Sequence, residues 1–218
     1  MMGRLEWVLV AASVSLLPAN AGATTVMFDD VCRVDNCVDP IPAGYGGLGW
    51  SRFWVDEPFD TEDSGYARGR VSGDSVAFNA SGDPATFFNG TPFDFVSTYL
   101  TAAFNTGLNI TVEGFLGRNL LYTQTVVVDD QAPTLFTFNY QGVDSVRFTA
   151  FGGVDANPGN PGSGPIFAMD NPTLDNLTYT LPEPSTLLLL CGGLLAGARR
   201  LRRFPGTDPA PSNRGPSR

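Results

Sequence analysis

Between residues 108 and 113 the side chains alternate strictly: Leu108, Ile110 and Val112 are apolar, and Asn109, Thr111 and Glu113 are polar. A period of two gives a strand one buried and one wet face, whereas a helix needs a period near 3.6. The pattern recurs. Leu120, Tyr122, Gln124, Val126 and Val128 form one face of the following segment, Phe136, Phe138 and Tyr140 one face of the next, and Val146, Phe148 and Ala150 repeat it. Further strands are predicted at 24–28, 50–55, 66–71, 75–79 and 93–104, each bounded by Gly, Asp or Pro. No stretch between residues 24 and 180 shows a helical period of useful length. The chain therefore reads as all-β, with two antiparallel sheets packed face to face in one β-sandwich domain over 24–180.

Both ends differ from this middle. Residues 1–23 read as a secretory signal peptide, with Arg4 in the basic region, Trp7 to Leu17 apolar, and small residues at Ala19, Ala21 and Ala23 for cleavage. At the other end, Pro182-Glu183-Pro184 precedes an apolar run from Leu187 to Ala198, which is followed by Arg199, Arg200, Arg202 and Arg203. A helix over 185–198 would rise about 21 Å, short of the roughly 30 Å hydrocarbon core unless the arginine stems snorkel and the bilayer thins. The expectation is a single transmembrane helix with its arginine cluster held in the cytoplasm. Residues 204–218, rich in Pro, Ser and Gly, read as a disordered tail.

The order Pro182-Glu183-Pro184, apolar helix, arginine cluster resembles the PEP-CTERM sorting signal of exported bacterial proteins, here over 181–203. The resemblance implies processing by exosortase, a membrane enzyme, after export by the Sec machinery. It also implies residence at the inner membrane of a Gram-negative bacterium during sorting, and then at the cell surface or in an extracellular polysaccharide matrix. The chain departs from the usual pattern by continuing beyond Arg203.

Charge and composition exclude several functions. Residues 24–183 hold 20 acidic residues and 6 arginines, a net charge of −14, and the chain has no histidine. Nucleic acid is therefore excluded as a partner, because phosphate binding needs a basic face. Without histidine there is no Ser-His-Asp triad, no Cys-His pair and no His-ligated zinc. No glutamate sits in a recognisable catalytic motif, and the chain is read as non-catalytic, a hydrolase using two Asp residues being the weakest alternative. Cys32 and Cys37 enclose a short Asp-containing loop and are expected to form a structural disulfide, as suits an exported protein.

An acidic pair follows the first strand (Asp29, Asp30), and Asp175-Asn176-Leu177-Thr178-Tyr179 is read as the last. Through these motifs the domain resembles carbohydrate-binding modules and galactose-binding-like domains, whose first and last strands lie side by side in a jelly roll. Tyr45-Gly46-Gly47-Leu48-Gly49-Trp50 and Thr91-Pro92-Phe93-Asp94-Phe95 also resemble a domain recurrent among exported PEP-CTERM proteins. The first resemblance implies a structural calcium held by Asp29 or Asp30 with Asp175, or with Asp170, since Asp-Asn occurs at both places. Solvated turn carboxylates are the alternative.

Tyr45, Trp50, Trp54 and Tyr66 cluster around a glycine-rich segment and are the candidate sugar-binding aromatics, although core packing explains them first. The loop Val154 to Pro165 is the other place where a ligand would be met. Three functions follow in order. The first is a structural or adhesive surface protein associated with extracellular polysaccharide. The second is a calcium-supported carbohydrate-binding module, and the third is a glycoside hydrolase.

Overall fold

The computed structural model describes residues 22–32, 34, 37–58, 63–158 and 162–178. Residues 1–21 of the expected signal peptide lie outside them, as do the expected sorting signal with its transmembrane helix and arginine cluster, and the expected tail. Among the described residues no helix is long and apolar enough to cross a membrane.

Among the described residues twelve strands carry the fold. They are β1 (Thr24–Thr25), β2 (Val38–Pro40), β3 (Gly49–Ser51), β4 (Phe53–Asp56), β5 (Val76–Asn79), β6 (Ala85–Ala102), β7 (Asn105–Thr106), β8 (Leu108–Leu116), β9 (Asn119–Val128), β10 (Thr134–Phe151), β11 (Val154–Asp155) and β12 (Phe167–Asp175). One short helix, α1 (Gly65–Arg68), lies between β4 and β5. All strand pairs are antiparallel. The main sheet runs β2-β4-β5-β12-β6-β10-β8-β9, with β1 on β12 and β3 on β6.

The two 18-residue strands turn this ribbon into a sandwich. The start of β6 pairs with the end of β10, in the layer holding β3, β8 and β9. The end of β6 pairs with the start of β10 and with β12, in the layer holding β4 and β5. Register breaks between Thr137 and Ser145 on β10 let the pair bend from one layer to the other, as bulges do. Between the layers, the Phe148 ring of one meets Phe53 and Phe167 of the other at 5.8 and 5.7 Å. Leu108, Ile110, Val112, Phe95 and Val146 are fully buried there. The alternation that predicted a sandwich is thus spent on a real inter-sheet core.

Several assignments change. Residues 66–71 form no strand: Gly65–Arg68 is a helical turn that presses against the β6 backbone, where a Cβ on Gly65 would stand 1.7 Å from the Ala102 carbonyl oxygen. It covers the outer face of β5 and β12 through Tyr66, Val76, Ala103 and Ala168. The last strand is Phe167–Asp175 rather than 175–179, and β1 pairs with it at Thr24↔Leu174. First and last strands are therefore neighbours, as the jelly-roll resemblance implied. Finally, Leu120 leaves the face shared by Tyr122, Val126 and Val128. The register slips so that Gly114 faces Tyr122 while Phe115 faces Leu120.

Candidate functional site: two carboxylates under the 70–75 segment

Beyond β1 the chain passes the buried Phe28 into a turn at Asp29 and Asp30. There Asp29 Oδ1 accepts hydrogen bonds from the backbone N–H groups of Asp74 and Ser75, at 2.9 and 3.2 Å. From β12, Asp170 points to the outer face, because Phe167 and Met169 take the inner one. Its Oδ2 accepts from the N–H groups of Val71 and Ser72 at 2.7 and 3.0 Å, and its Oδ1 from that of Asn171 at 2.8 Å. Ser72 Oγ donates to Asn171 Oδ1 at 2.8 Å. One connecting segment, between α1 and β5, is thus held by a carboxylate from each end of the domain.

Asp170 is only 1% exposed. Burial pushes its carboxyl up, the N–H groups of Ser72, Val71 and Asn171 pull it down, and the nearby Asp29 charge pushes it up again. Gly73 closes the arrangement. It sits at φ 53°, and a Cβ there would lie 1.9 Å from Asp29 Oδ1.

The other acidic candidates are placed elsewhere. Asp30 accepts from the Tyr45 hydroxyl, which is also within hydrogen-bond reach of the Met27 carbonyl oxygen. Asp175 stands opposite Asp94 on β6, and its Oδ1 accepts from the Asn176 N–H at 2.8 Å. Of the two Asp-Asn pairs, Asp170-Asn171 is the one beside Asp29. Calcium takes six to eight oxygen ligands. Asp29 and Asp170 supply two carboxylates that already accept five backbone N–H groups. Among the described residues no cluster of three or more His, Cys, Asp or Glu side chains is arranged to hold a metal.

The four candidate aromatics do not share a face. Tyr45 stacks on Phe28 at 6.2 Å, and its carbonyl accepts from Trp50 Nε1 at 2.9 Å. Trp50 meets Phe28, Phe53 and Phe87 edge-on or tilted at the rim of the core. Trp54 follows Phe53 on β4 and so points to the opposite side, 38% exposed, across from Phe78. Tyr66 is buried on that outer side against Phe78 and Phe104, at 5.3 and 5.4 Å. Tyr45 and Trp50 thus pack on the inter-sheet core, and Trp54 and Tyr66 lie on the outer side.

A disulfide joins Cys32 and Cys37, with Cα atoms 5.6 Å apart. At one end of the sandwich a small open cleft is lined by Asp63, Ser64, Phe104, Asp130, Asp155 and Asn157 among others. It includes part of the 154–165 loop singled out in the sequence. Arg68 bridges Asp63 and Asp130 there at 3.6 and 3.5 Å. Asp130 also accepts from Thr106 Oγ1 and Gln131 Nε2. Sequence reading missed both the pinned 70–75 segment and this ion-pair cluster. The one available signal for the former was a Ser-Gly-Asp-Ser turn, 72–75, before a strand.

Residues 180–203 match the PEP-CTERM protein-sorting motif. No curated protein sequence matches the chain. Among solved structures, a DUF4465 family protein from Bacteroides ovatus superposes with a TM-score of 0.41 at 9% identity, over 73% of this chain and 96% of that one. The structure described as TmCBM61 in complex with beta-1,4-galactotriose gives a TM-score of 0.31 at 9% identity, over 59% of this chain and 88% of that one.

Proposed function

We propose that this chain is an exported protein that exosortase sorts through residues 180–203. Its all-β domain then serves a non-catalytic, structural or adhesive role in extracellular polysaccharide. One observation carries the reading: a complete sorting motif stands directly behind a compact, strongly acidic β-domain. The acidity suits a domain that must stay soluble outside the cell. Non-catalysis is supported by the absence of histidine and by the placement of the carboxyls that burial pushes up. Asp56 and Asp170 lie on the covered outer face rather than in the open cleft, where a reacting group would be needed.

Replacing the motif tests the sorting step. In cells carrying exosortase, Glu183→Ala with Pro184→Ala is expected to leave the protein membrane-bound and unprocessed, while the unaltered chain is released or transferred. Equal fractionation of the two forms would refute the proposal. A glycan array probed with the exported protein tests the polysaccharide association, and binding to no acidic or neutral polysaccharide would remove it.

Calcium is a second reading, favoured by one observation: burial and Asp29 both disfavour the charged form of Asp170. A divalent cation bound by Asp29 and Asp170, with backbone carbonyls or water completing its shell, would relieve both effects. A higher melting midpoint in calcium than in chelator supports it, and an unchanged midpoint rules it out.

A further inference from the structure

The free edges of this sheet are treated unequally. At one end of the order, β2 is three residues long and contains Asp39 and Pro40, two features that discourage another strand from pairing. The strands β1 and β3 are also no longer than three residues. The open side of β10 before Val143 is broken by register shifts, with Asn139 and Gly142 at positive φ. β9 carries one register shift, at Leu121, and otherwise none of these protections. It runs ten residues, Asn-Leu-Leu-Tyr-Thr-Gln-Thr-Val-Val-Val, without a charge, a proline or a glycine. Only β8 pairs with it among the described residues. Leu120, Leu121 and Val127 are 50, 45 and 59% exposed. A long, uncharged edge of this kind presents unpaired N–H and C=O groups as a template for another strand.

Charge selects the occupant. A domain with 19 acidic residues and 6 arginines over 24–180, a net charge of −13, resists meeting itself over most of its surface, and the uncharged β9 is where that repulsion is least. Its ends are oppositely charged: Arg118 precedes it and Asp129 and Asp130 follow. Arg118 is exposed and makes no ion pair among the described residues. An antiparallel neighbour of the same sequence would bring the Arg118 end of each strand to the Asp129 end of the other. A twofold axis perpendicular to the sheet keeps inner faces with inner faces only if it passes through a residue paired with itself. With Gln124 on the axis, Leu121 stands opposite Val127, Thr123 opposite Thr125 and Tyr122 opposite Val126. The exposed apolar side chains then cover each other, and both ends meet opposite charge.

We propose that β9 is a self-pairing edge, through which two copies of the exported protein join into one continuous sheet with Gln124 on the twofold axis. Sedimentation of the exported protein at micromolar concentrations should show a dimer. The double variant Thr125→Lys with Val127→Lys, which sets four lysines along the joined edge, should sediment as a monomer while keeping the wild-type circular dichroism. If the lysine variant does not fold, the register is read directly with Gln124→Cys in a Cys191→Ser background. A short bis-maleimide should cross-link Gln124→Cys to a dimer but not Val71→Cys, which lies on the other sheet's outer side. A wild-type monomer throughout, a dimer that survives both lysines, or equal cross-linking at positions 124 and 71 overturns the proposal.

Discussion

Gly73 is where two distant parts of the chain depend on the absence of one methyl group. Its φ of 53° and the Asp29 oxygen 1.9 Å from a hypothetical Cβ mean that Gly73→Ala both strains the turn and displaces Asp29. Strain costs about 1 kcal/mol, and the two N–H bonds to Asp29 about 1 kcal/mol each. A loss of about 2–3 kcal/mol in chemical denaturation is expected on that basis. Asp170→Ala should cost at least as much, since it strands the N–H groups of Val71, Ser72 and Asn171.

Asp56 behaves oppositely. Burial, and then the Glu57 charge, push its carboxyl up to about 6 from 3.8. The folded state therefore holds this proton more tightly than the unfolded chain does. The stability it contributes is complete below about pH 4 and is lost as pH rises through about 6. The difference amounts to about 3 kcal/mol at neutral pH. Asp56→Asn should accordingly raise the melting midpoint at neutral pH and change little near pH 4. A midpoint raised equally at both pH values would contradict the assignment.

At the scale of elements, the sequence was readable where one strand sits in one layer. Leu108 to Glu113 alternates in burial as it alternates in polarity, because β8 has the core on one side and solvent on the other. It was unreadable where a strand serves both layers. β10 was expected as two strands, one carrying Phe136, Phe138 and Tyr140 and the next Val146, Phe148 and Ala150, with Gln141-Gly142 between them. In the structure that pair is a bulge inside one continuous strand. The start of β6 was missed because its apolar side chains do not all face inward: Phe87 is buried, while Phe88 lies over Gly49 on the surface. α1 was read as strand because four residues are too few to reveal a helical period. The Cys32–Cys37 link was legible from spacing alone. Closing so short a loop should contribute about 2 kcal/mol, lost when the purified protein is reduced.

The site followed the same division. Acidic residues near the terminal strands were visible in the sequence, but which of them converge depends on register. Met169 pairs with Leu100 and Asp170 with Tyr99, and this sends Asp170 outward beneath the 70–75 segment. The aromatic candidates divide in a similar way: Phe53 takes the inner face of β4, so Trp54 beside it faces outward.

At the scale of the whole molecule, the two informative parts speak to different questions. The sorting motif concerns delivery, and the acidic sandwich concerns what is delivered. Under the proposed sorting, exosortase removes the label once delivery is complete. The intact mass of the exported protein, from cells with and without exosortase, tests it most directly. With the enzyme, the chain should end near Pro182 to Pro184 and lack Arg199, Arg200, Arg202 and Arg203. Without it, the chain should keep them. An exported protein that still carries Arg203 in the presence of exosortase would contradict the account and make residues 181–203 a permanent anchor.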